Sequence, residues 1–182
     1  MILIFFGLLS LTIALLRTRN VTWLKNLELK QPWLILTALL LQVMIFSPLG
    51  SRFSLPVPYI YIFSYFLIIF FIILNINIKS FIIIGTGMLS NFLAITANGG
   101  YMPAKIEHLQ YFSSPETIEL LKKGMASNNS IMLTEHSKLS FLADIYYLPP
   151  DLPLANVFSI GDVIIAAGAF ILFQELSFRK EI

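Results

Sequence analysis

Five runs of nearly uninterrupted apolar residues, at 1–16, 32–47, 58–74, 81–97 and 159–178, constrain this chain more than any other feature. Each approaches the roughly 20 residues that cross a hydrocarbon core about 30 Å thick at about 1.5 Å per residue. Residues are 57% hydrophobic and only 12% charged, and mean hydropathy is +0.82. Soluble domains are about 25% charged, so too few polar side chains exist here to cover a water-exposed globule. The bilayer is the expected solvent. The reading is an all-α membrane fold: one integral domain over 1–182, a bundle of five transmembrane helices at about 1–16, 32–47, 58–76, 80–98 and 159–178. Segment 98–158 adds short helices and a candidate β-hairpin.

The loops set an expected orientation. Arg17, Arg19, Lys25, Lys30, Lys79, Arg179 and Lys180 all fall on one side, and the short second loop opposite carries Arg52. Lys and Arg accumulate in cytoplasmic loops. The N-terminus and segment 98–158 are therefore expected outside the cell membrane, and the C-terminus inside. The first run has no basic stretch before it and no A-x-A site after it, so it reads as a retained helix. Trp23 and Trp33 flank loop one as interfacial anchors.

Composition narrows the chemistry. The chain has no cysteine, which removes disulfides, thiolate nucleophiles and thiolate metal centres. A net charge of +2 is too small for a nucleic-acid footprint. No Asp, Glu, Lys, Arg or His sits in the middle of a run, where a proton-coupled pump would need one. Phosphate-loop and dinucleotide fingerprints are missing, and no cofactor is expected.

Segment 98–158 holds six of the ten acids and both histidines. Pro103 is expected to open a short helix over 104–111. Ser114, Pro115, Lys122, Lys123 and Gly124 signal a second, capped helix. Residues 131–134 and 139–142 flank a polar tetrapeptide as a hairpin would. The proline-rich 149–153 reads as a stiff extended connector. His108 and His136 lack metal-ligand spacing, so no metal site is expected.

Asp162 is the most telling residue, a carboxylate at the mouth of the last run. Ser159-Ile160-Gly161-Asp162 matches a capping box, in which serine and acid each bond the other's backbone N–H. That structural role is the favoured reading. The sharper alternative pairs Asp162 with Asp144: two close carboxylates share a proton, one serving as base and the other as acid. Asn98-Gly99-Gly100 with Met102-Pro103 reads as a helix stop. It is also a candidate binding region, together with Asn156, because glycine backbone admits close approach. Gln42 and Asn91 are expected to bond between helices. Glu175 precedes Arg179 by four residues, a favourable pair spacing.

Asn98-Gly99-Gly100, Met102-Pro103, Phe141-Leu142 with Asp144, and Asn156-Val157-Phe158-Ser159-Ile160-Gly161-Asp162 together resemble an uncharacterised bacterial family, domain of unknown function 5317. The resemblance covers nearly the whole chain and implies a small multi-pass membrane protein without an assigned activity. A weaker likeness is to signal peptidase II, an aspartyl protease whose last helix opens near a catalytic Asp. Here Asn156 and Asp162 stand six positions apart rather than three. Asn91-Phe92-Leu93-Ala94 has alanine where that family's other Asp would fall.

Three functions are carried forward. The leading expectation is a non-catalytic subunit or scaffold whose outer segment binds membrane lipid or a partner protein through 98–158. The second is an interfacial aspartyl hydrolase using Asp144 and Asp162. The third is a component of a small-molecule transporter or channel. The space between Asp144 and Asp162 discriminates the second from the first, and the third requires a continuous polar path through the bundle.

Overall fold

The computed structural model describes residues 2–47 and 55–178. Its frame is five apolar helices: α1 (Ile2–Thr18), α2 (Trp33–Phe46), α3 (Val57–Leu74), α4 (Ser80–Ala97) and α7 (Ile160–Phe178). α3 is rich in β-branched and aromatic residues, yet it is helical. Without water, only a helix satisfies every backbone group within one segment. Pro58 sits in its first turn, where no N–H is required. The helices are apolar around most of their circumference, with Leu36, Leu40, Val43, Phe63, Phe66 and Phe70 exposed. Such a surface suits lipid rather than water. α3, α4 and α7 are long and apolar enough to cross a membrane, while α1 and α2 are shorter apolar helices.

The five helices form an open arc. α1 packs on α7, α7 on α4, α4 on α3, and α3 on α2. Small residues bring α4 and α7 together. A Cβ on Gly87 would lie 2.5 Å from the Gly161 carbonyl oxygen, and one on Gly168 would lie 2.8 Å from the Ile84 nitrogen. Polar side chains then tie the arc. Gln42 Nε2 donates to Ser64 Oγ at 2.9 Å, and Gln174 Nε2 donates to the Ser10 carbonyl at 2.9 Å.

One end of the bundle, the basic end, carries loop one and Lys79. Asn75 is buried there. Its Oδ1 accepts from Lys30 N at 2.7 Å, and its Nδ2 donates to the Lys30 and Phe71 carbonyls at 2.9 and 2.8 Å. The latch holds loop one and stops α3 at Leu74, short of the expected 76. Glu175 accepts from the backbone N–H groups of Lys79 (3.0 Å) and Ser80 (2.8 Å), placing a carboxylate at the positive end of α4. Arg179, its expected pair, lies outside the described residues, as do Arg52 and Lys180. Arg17 donates to Gln174 Oε1 at 3.0 Å and stacks over Phe178, 3.6 Å from the ring centre.

The opposite, distal end is covered by residues 98–159. They contain β1 (Met102–Ala104), α5 (Ile106–Leu109), α6 (Pro115–Lys122), β2 (Ser130–Met132), β3 (Tyr146–Leu148) and β4 (Asn156–Phe158). Ser114 caps α6 by accepting from Thr117 N at 3.3 Å, and Gly124 ends the turn at φ +76°. Three expectations need correction. The 131–134/139–142 hairpin does not form: β2 pairs in parallel with β1, with Ile131 opposite Pro103, and Ser140–Leu142 is a 3-10 turn. A short apolar run marks a strand but does not choose its partner. Pro103 lies within β1 rather than opening a helix, so the first short helix starts at Ile106. The proline-rich stretch is not extended. Turns closed by Leu152 N to Pro149 O (3.0 Å) and Ala155 N to Leu152 O (3.2 Å) bring β3 and β4 into an antiparallel pair.

Candidate functional site

The distal cover reaches into the bundle through β1. Strand β2 lies on one side of it. On the other, Asp144 N donates to the Pro103 carbonyl at 2.9 Å, and Lys105 N donates to the Asp144 carbonyl at 3.0 Å. Met102 packs with Ile45, Tyr61, Tyr65, Ala94 and Ile95, and Leu142 joins the same cluster. Burial of those side chains holds Asp144 against the helix ends.

Asp162 is fixed by three hydrogen bonds, and a fourth joins two of its partners. Ser159 N donates to Asp162 Oδ2 at 2.9 Å and Asp162 N to Ser159 Oγ at 3.1 Å, the two halves of a capping box. Asn91, buried in α4, donates its Nδ2 to Asp162 Oδ1 at 2.8 Å. The fourth closes the ring, with Ser159 Oγ donating to Asn91 Oδ1 at 2.9 Å. Both Asp162 oxygens thus accept N–H donors, as an ionised carboxylate does. Gly161 makes this possible, since a Cβ there would fall on the Asn91 amide and 2.9 Å from the Gly87 carbonyl oxygen.

Asp144 and Asp162 border one cavity of about 70 Å³. Tyr61, Tyr65, Asn91 and Asn129 supply its other polar walls, and Ile95 and Met102 its apolar ones. The Tyr61 and Tyr65 rings meet edge to face, with centres 5.2 Å apart. Asp144 Oδ1 is buried without a hydrogen-bond partner. Burial, and secondarily the charge of Asp162, push the Asp144 carboxyl up from 3.8 to about 7. Near neutrality the Asp144 carboxyl is therefore partly protonated. The space accommodates water, and its polar walls supply the several partners a buried water needs.

A second cavity meets the first. It is a groove of about 470 Å³ whose walls are almost wholly aliphatic and aromatic, and it shares Tyr65, Asn91 and Asp162 with the polar cavity. From Asp162 it runs along α7 to Leu172, and from Asn91 along α4 to Phe81.

The other residues singled out in the sequence sit elsewhere. Gly99 and Gly100 have φ of +73° and +90°, and Gly100 N bonds the Ile95 carbonyl at 2.9 Å, ending α4. A Cβ on Gly100 would lie 2.5 Å from Pro58 Cβ, so this glycine serves close packing. Asn98 clamps the 134–138 turn through the Lys138 backbone at 2.8 and 2.9 Å. Asn156 lies in β4 opposite Leu148, and Pro103 is buried in β1. Of the candidate binding residues, Met102 alone lines the polar cavity. His108 is stacked on Tyr147, with ring centres 4.2 Å apart, rather than free in a loop. Among the described residues no group of three His, Asp or Glu side chains is placed to hold a metal. Tyr61, Tyr65 and Asn129 were not singled out as site residues, and Asn91 only as a helix tie. The signal for Asn91 was present: an amide in an apolar run needs a buried partner, and Gly87, four residues earlier, marks the face that another helix can approach.

Comparison with known proteins agrees with the motif resemblance. An uncharacterised protein of Thermotoga maritima is 31% identical over 112 residues, which is 60% of this chain and 60% of that protein. The chain thus matches about 60% of the length of that relative. No solved structure matches. The likeness to signal peptidase II is not carried by these comparisons. The model of the Family of unknown function (DUF5317) matches residues 26–174, and the chain belongs to that family.

Proposed function

We propose that this protein is a five-span membrane hydrolase in which Asp144 and Asp162 work as an acid–base pair on an amide or ester bond. In this reading the basic end faces the cytoplasm and the distal cover lies outside, in keeping with the loop charges. The observation that carries it is the shared cavity: a raised, unpartnered Asp144 carboxyl beside a firmly held Asp162 carboxylate, next to an apolar groove. Asp162 takes a proton from water as its oxygen attacks the carbonyl carbon. Asp144 gives its proton to the carbonyl oxygen, forming a neutral tetrahedral intermediate. Collapse returns that proton to Asp144, Asp162 protonates the leaving nitrogen or oxygen, and the carbon–heteroatom bond breaks. Asn91 and Ser159 hold Asp162 in place, and Asn129 and the tyrosine hydroxyls are donors around the reacting centre.

The test is hydrolysis of a panel of membrane-soluble amides and esters by the reconstituted chain, its Asp144→Asn variant and its Asp162→Asn variant. Turnover lost in both variants, and falling in the wild type as pH rises through about 7 with ionisation of the acid Asp144, supports the proposal. One observation favours a second reading: both Asp162 oxygens already accept protein N–H groups. The pair would then be structural, and the distal cover, with Phe141, Tyr111 and Tyr146 exposed, would bind lipid or a partner protein. No turnover on any amide or ester, with a stable complex recovered from membranes, would favour that module.

A further inference from the structure

We infer that the groove holds the single hydrocarbon chain of an amphiphile whose uncharged amide or ester lies at Asp144 and Asp162. This rests on the hydrolase reading for the chemistry at the carboxylates, but the chain site stands on separate observations. The first is length. Asp162 to Leu172 and Asn91 to Phe81 are each ten residues of helix, so the groove runs about 15 Å. It is elongated, ending at Leu29 and Phe81 near the basic end of the bundle, the shape an extended chain takes.

The second is size. The groove's volume of about 470 Å³ lies within the range of about 300–1,000 Å³ typical of sites that enclose small molecules, and its almost wholly apolar walls suit an extended hydrocarbon chain. The third is the way in. α1 and α2 stand at the two ends of the arc, and Leu3 and Leu39, one from each, line the groove and remain exposed. A chain can enter sideways from the bilayer between them.

The fourth is charge. Among the described residues, neither cavity is lined by Lys, Arg or His. A phosphate head would meet the Asp162 carboxylate with no cation to offset the repulsion. An uncharged carbonyl meets the Asp144 carboxyl and the Asn129 amide, which can donate to it.

The experiment uses the full chain in nanodiscs and two photoreactive probes. One is an N-methyl amide of a 16-carbon fatty acid, the other a 16-carbon alkyl phosphate, each with a diazirine near the chain end. The amide is expected to label peptides around Phe81–Ile84 and Leu172, and the phosphate is expected to leave them unlabelled. Ala169→Phe and Leu39→Trp, filling the groove from two different helices, are expected to lose labelling while thermal unfolding is unchanged in at least one of them. Equal labelling by both probes, or labelling that survives both substitutions, overturns the inference. Groove labelling by the amide without hydrolysis of any ester or amide upholds the chain site and sinks the hydrolase reading. Short-chain ester hydrolysis that needs Asp144 and Asp162, with no labelling in the groove, does the reverse.

Discussion

Replacing Asp144 by asparagine should make the protein more stable in neutral and alkaline solution while removing its proposed activity. The carboxyl ordinarily titrates at 3.8 and here at about 7. That difference corresponds to about 4 kcal/mol between the two protonation states. The sign follows from proton binding. Between those values the folded protein holds a proton that the unfolded chain has released, so stability is greatest below about 4 and is lost as pH rises to about 7. Asparagine cannot ionise and escapes this loss. Relative to wild type, Asp144→Asn should gain roughly 2–3 kcal/mol between about pH 5 and pH 8. Equilibrium unfolding in mixed micelles, followed by the emission of buried Trp23, measures it. A difference between the proteins that does not change with pH, or that changes in the opposite sense, would refute the reasoning.

Three structural substitutions test the frame around the site. Gly161→Ala drives a methyl group onto Asn91 and towards the Gly87 carbonyl; unfolding measurements should show a loss of at least about 1–3 kcal/mol. Asn75→Ala breaks three hydrogen bonds at a buried residue that ties loop one to α3. It should cost about 2–3 kcal/mol in the same assay, with faster proteolysis of loop one. Glu175→Gln removes the carboxylate that accepts from Lys79 and Ser80 N–H groups. A loss of about 1–2 kcal/mol, with faster amide exchange in the first turn of α4, is expected.

The five helices were legible because a long apolar run has one good way to satisfy its backbone away from water, and three of them are long enough to cross a membrane. The Ser159–Asp162 cap was legible because its partners are three residues apart, a distance that helical geometry fixes in advance. What escaped depends on partners distant in the chain. Asn91 meets Asp162 across 71 positions, and nothing local to either residue specifies the other. Ile131 pairs with Pro103 rather than with the nearby 139–142 because Met102 is buried, and Leu142 partly buried, against the helices, and that packing chooses the strand partner. Glu175 had a local explanation in Arg179, but its carboxylate also holds the start of α4, which sequence spacing could not reveal. Asp144 stands out locally as a carboxylate among apolar neighbours, but the burial that is the larger cause of its raised titration comes from packing against the helix ends, which no local pattern specifies.

If Asp144 and Asp162 are two interacting carboxyls around one cavity, neutralising one must shift the titration of the other. Carboxyl infrared titration of the reconstituted wild type and of Asp162→Asn tests it most directly. In the wild type, one protonated carboxyl band, absent from Asp144→Asn, should vanish at about pH 7. In Asp162→Asn the same band should vanish at lower pH, yet still above the ordinary aspartate value, because burial is the larger cause and the neighbouring charge the smaller. An Asp144 band that titrates at the ordinary value, or that does not move when Asp162 is neutralised, would contradict the account.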